Sequence, residues 1–340
     1  MITIDGSAGE GGGQILRTSL ALSLLTQTPV RFERIRAGRR RPGLRAQHLS
    51  CVRLAAQVGR AEVSGAELES QSLTFRPRAL LAGDYELDLG TAGSTSLVLQ
   101  TVLLPLLHAD GPSRVRLEGG THNPLAPPFE FLERVYLPWV ERAGGRVRPE
   151  LVRPGFFPKG GGEVRYQITP GPLVGFELLE RGPLRSIEAE AYLSRLPDHV
   201  ARRELDAVAA ALELEPEALR VVRPRRPKGP GNALLITLRF AHATEVVSAY
   251  GEKGKPAEEV AADAVREAQR LLAGEGVPVG EHGADQLLLL LALAGSGRFR
   301  TLAPSGHTTT QQALIPRFLP RVGLPSQELS PGTWELAVDA

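Results

Sequence analysis

Apolar residues recur along this chain in two different periods, and each period predicts one kind of element. Short runs in which apolar and polar residues alternate predict strands, whereas apolar residues at every third or fourth position predict helices. Helices are predicted at residues 14–25, 45–58, 94–107, 127–142, 198–212, 257–272, 281–294 and 308–318. Strands are predicted at residues 2–5, 30–35, 61–63, 73–76, 85–89, 114–117, 146–152, 163–168, 187–193, 233–240 and 245–250. The mixture predicts an α/β (α+β) fold with short connections.

One supersecondary unit recurs in the first half, where a strand enters a glycine turn that begins an apolar helix. The turns Gly6-Ser7-Ala8-Gly9 and Gly90-Thr91-Ala92-Gly93 match, which indicates an internal repeat. The same style returns in the last predicted helices, whereas residues 181–275 lack it. The sequence therefore predicts a large body of repeated units at 1–180 and 276–340, with a small α/β domain inserted at 181–275.

Composition is consistent with this division, since 340 residues exceed one simple core, and 42% hydrophobic with 23% charged residues is typical of a soluble globular protein. The longest apolar run, Leu287 to Ala294, is too short to span a membrane. The N-terminus has no secretory-signal pattern, so we expect a cytoplasmic protein without a membrane partner. The single Cys51 cannot form an internal disulfide, and no Cys/His spacing resembles a zinc site.

The basic residues are strongly biased towards arginine, which accounts for all but four of the 40. A GC-rich genome would produce the same bias, so position is more informative than number. Seven arginines lie between Arg31 and Arg45 with one acid, Glu33, and Pro42-Gly43 marks a shaped loop among them. Such a cluster repels itself unless an anion lies within it, which favours phosphate or nucleic-acid binding over a solvated charged face. For the second basic strip, residues 223–228, a solvated turn and an RNA contact are equally consistent.

Two further motifs suggest phosphate chemistry. Gly9 to Arg17 brings consecutive glycines to a helix start, where backbone amides can approach a phosphate, although neither a P-loop nor a dinucleotide pattern is present. Glu10 would be unfavourable there unless a divalent cation bridges it to phosphates; the alternative is a tight turn with a surface glutamate. Near the C-terminus, His307 stands between a glycine and three hydroxyl residues, as a candidate nucleophile or an ordinary turn residue.

The string Arg153-Pro154-Gly155-Phe156-Phe157-Pro158-Lys159-Gly160-Gly161-Gly162 is the most specific in the chain. It resembles the signature of the RNA 3'-terminal phosphate cyclase family. Other motifs follow in that family's order across essentially the whole chain. They are Gly9 to Arg17, Ile35 to Arg39 with Pro42-Gly43 and Gln47-His48, Ser96 to Gln100, Gly120 to Pro124, Gly251 to Lys253, Glu281 to Gln286 and Ser305 to His307.

The resemblance implies a fold, a reaction and a set of site residues. The body would contain three repeated α/β units similar to the C-terminal domain of a translation initiation factor. The enzyme histidine, here His307, would take AMP from ATP and pass it to an RNA 3'-phosphate, after which the 2'-hydroxyl displaces AMP and leaves a 2',3'-cyclic phosphate. The phosphate and RNA contacts would come from Arg17, Arg36, Arg39 and Gln47. Glu10 would engage a divalent cation, Mg or Mn. The adenylate pocket would be lined by Gln100, Pro127, His282, Asp285 and Gln286.

Two departures from the family pattern are visible, and one rival function remains. His282 replaces a common aromatic residue, and Gly306 replaces a common cysteine before the histidine. A noncatalytic branch of the same fold family acts as an RNA- and protein-binding scaffold in ribosome assembly, but it lacks the nucleophilic histidine. Enolpyruvyl transferases are similar in fold alone. The physiological RNA, activity on 5'-phosphate or DNA ends, the preferred metal, the role of the insertion and the oligomeric state are left open.

Overall fold

The computed structural model describes residues 1–225, 227–274 and 276–340, and it confirms a mixed α/β fold. Its first unit runs β-α-β-α-β-β and forms one four-stranded sheet in the order β1-β2-β4-β3. Strands β1 and β2 are parallel, and the other pairs are antiparallel. The elements are β1 (Ile2–Asp5), α1 (Gly13–Thr26), β2 (Val30–Glu33), α2 (Ala46–Gly59), β3 (Glu62–Ser64) and β4 (Leu73–Arg76).

The second unit repeats this arrangement, with a sheet in the order β5-β6-β8-β7. Strands β5 and β6 are again parallel, and the remaining two pairs are antiparallel. Its elements are β5 (Asp84–Asp88), α3 (Thr95–Leu107), β6 (Ser113–Gly119), α4 (Phe129–Phe131), a π-helical segment (Leu132–Tyr136), α5 (Leu137–Arg142), β7 (Arg146–Arg153) and β8 (Gly162–Thr169).

After β9 (Glu177–Leu178) the chain forms a separate sheet with two helices before it returns to the body. The sheet order is β11-β10-β12-β13. The elements are β10 (Leu184–Ser194), α6 (Asp198–Leu212), a 3-10 turn (Pro216–Ala218), β11 (Leu219–Val222), β12 (Gly231–Phe240), β13 (Thr244–Tyr250) and α7 (Ala257–Ala273). Apolar side chains of this segment form their own core, which includes Ile236, Val260 and Ala264. We call this segment the insertion; its domain boundaries at 181 and 275 stay a prediction, and residue 275 lies outside the described residues.

The third unit begins at β9 and resumes after the insertion with the same strand pattern, in the order β15-β16-β14-β9. Strand β9 is parallel to β14, as the first two strands are in each other unit. The elements are α8 (Glu281–Ala294), β14 (Ser296–Leu302), α9 (Gly306–Leu314), a 3-10 turn (Ile315–Arg317), β15 (Ser326–Ser330) and β16 (Thr333–Asp339). The body therefore contains three copies of one unit, and the insertion lies between the first strand and first helix of the third.

One hydrophobic core joins the three units. It includes Phe32 from β2, Phe75 from β4, Tyr166 from β8 and Phe299 from β14, none of which is more than 1% exposed. Helix α3 is buried along nearly its whole length and packs against α1 and α2. None of the helices among the described residues is both long and apolar enough to cross a membrane.

Several predicted boundaries were wrong, for local reasons. The strand predicted at 30–35 ends at Glu33 because Arg34 adopts a left-handed conformation, with φ 52°. The helix predicted at 308–318 begins at Gly306 and ends at Leu314, before the 3-10 turn that contains Pro316. The helix predicted at 127–142 begins at Phe129 and contains the π-helical segment. Strands β9, β11, β14, β15 and β16 were not predicted; β15, for example, has no buried residue that would produce an alternating pattern.

Candidate active site

His307 lies in the first turn of α9, next to the glycine-rich loop of the first unit. The Ser305 hydroxyl caps this helix by accepting a hydrogen bond from the Thr308 amide at 3.2 Å. The Thr310 hydroxyl accepts a bond from the Glu10 amide at 3.0 Å and so joins α9 to the loop. The His307 side chain is 46% exposed. It is therefore held by a capped helix rather than in a turn, yet it stays open to a reactant.

A chain of hydrogen bonds leads from His307 into the protein. His307 Nδ1 lies 2.5 Å from Gln14 Oε1, and Gln14 Nε2 donates to the Asp285 carboxylate. Because the carboxylate accepts from the amide nitrogen of Gln14, the amide oxygen faces the histidine. An oxygen at that position accepts a hydrogen bond from Nδ1–H, which leaves Nε2 with its lone pair free. The geometry thus selects the tautomer that a nucleophilic histidine needs.

The electrostatic surroundings also keep His307 neutral. Desolvation lowers the pKa of His307 below its usual value, and the positive charge of Arg17 acts in the same direction. Asp285 is partly exposed as a residue, but its carboxylate faces protein, and desolvation raises its pKa to about 7, an effect that Arg17 opposes. At neutral pH the imidazole is therefore mostly uncharged.

A small pocket opens beside this chain, with a volume of about 30 Å³. It is lined by Gln14, Arg17, Thr18, Gln100, Leu104, Tyr136, Asp285, Gln286, Leu289 and Gln311. Two buried amide oxygens in this lining, those of Gln286 and Gln311, have no hydrogen-bond partner among the described residues. A buried acceptor without a partner is costly, so the pocket is suited to a ligand that donates hydrogen bonds.

The structure brings together only some of the residues predicted for the adenylate pocket. Gln100, Asp285 and Gln286 line it, whereas Pro127 and His282 do not. His282 is exposed on the first turn of α8, and Pro127 is half-buried just before the start of α4. Both lie outside the pocket in this state of the protein.

Arg17 occupies the buried side of the site. Desolvation lowers the pKa of Arg17, and its Nε atom has no partner among the described residues. A Cβ atom at residue 13 would lie 2.5 Å from His48 Nε2 and 2.8 Å from Arg17 Nη1, so the glycine lets both side chains approach the start of α1. A half-buried arginine whose buried Nε donor lacks a partner is suited to an anion.

The segment from Arg31 to Arg45, which we call the arginine loop, has more of its positive charge neutralised than the sequence indicated. Four of its seven arginines pair with carboxylates, three of which come from outside the loop. The pairs are Arg31–Glu33, Arg34–Asp5, Arg39–Glu10 and Arg45–Glu69. The expected self-repulsion is thus relieved in part by acids, most of them from neighbouring segments.

The remaining predicted phosphate ligands have defined partners. Arg39 pairs with the Glu10 carboxylate and donates to the Glu10 carbonyl at 2.8 Å, which places both side chains beside His307. Arg36 donates to the carbonyls of Arg41 and Gly43 at 2.7 and 3.0 Å. The Gln47 amide oxygen accepts from the Ser94 amide at 2.7 Å and joins the first turn of α2 to the start of α3.

Glu10 is the predicted metal ligand, and its carboxylate lies 3.9 Å from His307 Nδ1. Within the described ranges no group of three His, Cys, Asp or Glu side chains could hold a metal ion. Mg²⁺ is commonly held by one or two carboxylates, while phosphates and water supply the other ligands. Glu10 therefore fits a cation that arrives with a nucleotide, and it does not fit a metal held by protein alone.

Sequence reasoning missed Gln14 as a functional residue. Gln14 lies inside the quoted motif from Gly9 to Arg17, but only the fold shows that its amide connects His307 with Asp285, which are 293 and 271 residues away in sequence. Tyr136, which also lines the pocket, was missed as well.

Fold and site together define a class: an α/β protein of three repeated units with an inserted domain, in which a neutral histidine meets buried and surface arginines. Within that class, the sequence profile of RNA 3'-terminal phosphate cyclase matches residues 8–322. This chain belongs to the RNA 3'-terminal phosphate cyclase family.

Three relatives named RNA 3'-terminal phosphate cyclase are similar to the chain over most of its length. The protein from Ectopseudomonas mendocina is 50% identical over 94% of this chain and 92% of its own. The protein from Ralstonia nicotianae is 49% identical, with the same coverage, and that from Koribacter versatilis is 47% identical over 94% of this chain and 90% of its own. Among solved structures, the enolpyruvyl transferase NikO from Streptomyces tendae matches 98% of this chain and 47% of its own, at 13% identity and a TM-score of 0.37, which is too weak to carry an argument.

Proposed function

We propose that this protein converts an RNA 3'-terminal phosphate to a 2',3'-cyclic phosphate at the expense of ATP, through a covalent AMP on His307. The observation that carries the proposal is the hydrogen-bonded chain from Asp285 through Gln14 to His307 Nδ1, which leaves Nε2 as a free nucleophile. Family membership supports the substrate class, and the site supports the covalent step.

Three displacements at phosphorus make up the reaction. In the first, the Nε2 lone pair attacks the α-phosphorus of ATP, so that an N–P bond forms and pyrophosphate leaves. Next, an oxygen of the RNA 3'-phosphate attacks the same phosphorus, and the N–P bond breaks to return the electron pair to His307. Finally, the 2'-hydroxyl attacks the activated 3'-phosphorus, loses its proton, and AMP leaves.

Phosphoryl transfer of this kind depends mainly on positioning and on neutralising negative charge. Arg17 is half-buried and close enough for its charge to lower the pKa of His307, and Arg39 lies beside the histidine through its pair with Glu10. Arg36 and Gln47 extend the polar surface along the loop towards α3. We assign phosphate contacts to these four residues.

A divalent cation, Mg or Mn, would neutralise charge on the nucleotide phosphates when bound, and Glu10 would hold it. The Arg39–Glu10 pair would then open, which frees the Arg39 guanidinium for a phosphate.

The adenylate would bind at the pocket beside Gln14. Gln100, Asp285 and Gln286 line it, and the free oxygens of Gln286 and Gln311 offer acceptors for the amino or hydroxyl groups of a nucleoside. A volume of about 30 Å³ holds only one or two water molecules, so binding must open the pocket. Pro127 and His282, which lie outside it here, are proposed as contacts of the opened state.

The test is conversion of a 3'-phosphate oligoribonucleotide to a form that phosphatase cannot dephosphorylate. We expect protection to require both ATP and a divalent cation. An oligonucleotide with a 2'-deoxy terminal residue is the matched control, since it lacks the attacking hydroxyl: it can accept AMP but cannot form the cyclic phosphate, so mass spectrometry must show the cyclic product from the ribo-substrate alone. If the ribo-substrate gains no protection with either Mg or Mn, the cyclase proposal fails and a noncatalytic scaffold is favoured.

A further inference from the structure

The loop between β7 and β8 buries one aromatic ring and exposes the next. Phe156 is 4% exposed and stacks on His122 with ring centroids 5.3 Å apart, whereas Phe157 is 66% exposed. An exposed phenylalanine forgoes the free energy of burial that the neighbouring ring obtains. A large exposed ring next to a buried one is suited to a binding surface.

Two hydrogen bonds order the backbone of the loop around Phe157. The Gly160 amide donates to the Phe156 carbonyl at 2.7 Å, and Arg153 Nε donates to the Gly161 carbonyl at 2.7 Å. No side chain fits at residue 155, where a Cβ atom would lie 2.2 Å from the Gly162 amide nitrogen. The backbone that presents Phe157 is thus already ordered, which lowers the entropic cost of binding at this loop.

Positive charge accompanies this ring. Lys159 is exposed and its stem packs over Gly229 of the insertion, where a Cβ atom would lie 3.0 Å from Lys159 Cδ. In the part of the chain that the structure describes, no carboxylate lies within 4.0 Å of Lys159. Lys228 lies near the same loop, is half-exposed, and pairs with Glu118 at 3.0 Å. An unpaired lysine beside an exposed ring matches a polymer that carries both bases and phosphates.

The loop is continuous with the candidate active site. Gly160 lies against Thr91 and Ala92, where a Cβ atom would be 2.7 Å from the Thr91 carbonyl oxygen. Gly93 follows Ala92 in the chain, and a Cβ atom on Gly93 would lie 3.3 Å from the Cβ atom of Gln47. Gln47 is one of the proposed phosphate contacts, so a chain of packing contacts connects the loop that carries Phe157 with that part of the proposed site.

We propose that Phe157 is a stacking platform for a base upstream of the reacting 3'-end of RNA, and that Lys159 contacts the phosphate next to that base. This subsite deepens the proposed function and rests on it. A base can stack on the ring whatever its identity, so the subsite favours longer RNA over shorter RNA and discriminates little by sequence.

The experiment compares a 3'-phosphate decamer with a 3'-phosphate dinucleotide as substrates. For Phe157→Ala we expect KM for the decamer to rise roughly 5- to 100-fold, while kcat and KM for the dinucleotide stay within about twofold. Phe157→Trp should keep the wild-type KM because it keeps a stacking face. Leu329→Ala is the matched control, since Leu329 is 44% exposed on β15 and should change neither substrate.

An unchanged KM for the decamer in Phe157→Ala overturns the subsite, and so does an equal rise for both substrates. Fluorescence anisotropy of a labelled decamer, measured without ATP, keeps the two proposals separate. If the wild type cyclises neither substrate, the proposed function fails, and the anisotropy decides the subsite: weaker binding by Phe157→Ala supports it, and equal affinity overturns it.

Discussion

The role of Gln14 depends on the two different polar atoms of its side-chain amide. Its amide oxygen faces His307 Nδ1 at 2.5 Å, while its amide nitrogen donates to Asp285. A carboxylate in direct contact with the imidazole would favour the protonated ring, whereas an amide oxygen orients the ring without adding charge. Gln14 therefore acts as a positioning residue that keeps the nucleophile both aligned and neutral.

Replacing Gln14 should separate orientation from charge. We expect Gln14→Ala to lower the rate of self-adenylation by about 10²-fold, because the ring loses its alignment. Gln14→Glu should instead move the acid limb of the pH–rate profile to higher pH, because the new carboxylate raises the pKa of His307. Gln57→Ala, on the exposed face of α2, is the control. A wild-type rate of self-adenylation in Gln14→Ala would show that Gln14 does not position His307.

Residue types pointed to much of the site before the structure did. Glu10, Arg39, Asp285 and His307, which the motifs singled out, lie close together in the structure, and their roles stay predictions. The pairing of arginines with distant acids and the bridge through Gln14 were not predictable, since both depend on contacts between segments far apart in sequence.

At the scale of elements, helix α8 carries Asp285 and Gln286, and the insertion anchors its start. The Glu245 carboxylate, on β13, accepts a hydrogen bond from the amide of Gly280, the N-cap residue of α8, at 2.5 Å. Burial raises the pKa of Glu245 to about 7. The inserted sheet thus positions a site helix through a carboxyl group that titrates near neutral pH.

This raised pKa predicts a dependence of stability on pH. The folded protein keeps the Glu245 proton up to about pH 7, whereas the unfolded chain loses it near pH 4.5, so this group's contribution to stability falls as pH rises between those values. Glu245→Gln stays neutral and can still accept the bond from Gly280. We expect it to raise the free energy of unfolding at pH 8 by up to about 3 kcal/mol, with little change at pH 4.5.

Urea unfolding of wild type and variant at pH 4.5 and pH 8 measures this difference. Glu217→Gln, an exposed carboxylate on the 3-10 turn of the insertion, is the control. Equal stabilities of Glu245→Gln and wild type at pH 8 would show that burial does not raise the pKa of Glu245.

Strongly periodic elements were predictable, and weakly patterned ones were not. Helices such as α6 and α7, with one apolar face each, were predicted within a residue of their bounds. The edge strand β15 is exposed throughout, and β9 contains two residues, so neither leaves a pattern. Backbone conformation also overrode pattern at Arg34, where the left-handed conformation ends β2.

At the scale of the molecule, polar contacts fix the insertion to the body. Arg134 of the second unit donates to Glu190 on β10 at 2.5 Å and to Thr237 on β12 at 3.0 Å. Close by, His122 Nε2 lies 2.9 Å from Glu130, both fully buried, and the His122 ring lies against Tyr192 of the insertion. The loop between β7 and β8, which contains Phe156, and the motif from Gly120 to Pro124 thus both contact the insertion at one junction.

Repetition in the sequence indicated that a unit recurs and the family resemblance implied three copies, but the strand order within each could come only from the structure. Two glycine turns show that a unit recurs, whereas the shared order of four strands is a matter of pairing between distant segments. The convergence of the first and third units at α9 and the glycine-rich loop, which creates the site, follows from that packing.

The central claim is that His307 carries the adenylate, and direct mapping of the label tests it. The protein is incubated with ATP labelled at the α-phosphate and a divalent cation, digested, and the labelled peptide is identified. We predict acid-labile AMP on the peptide that contains His307, and no label on His307→Ala with wild-type folding. Equal labelling of the two proteins, or label on another peptide, would contradict the account.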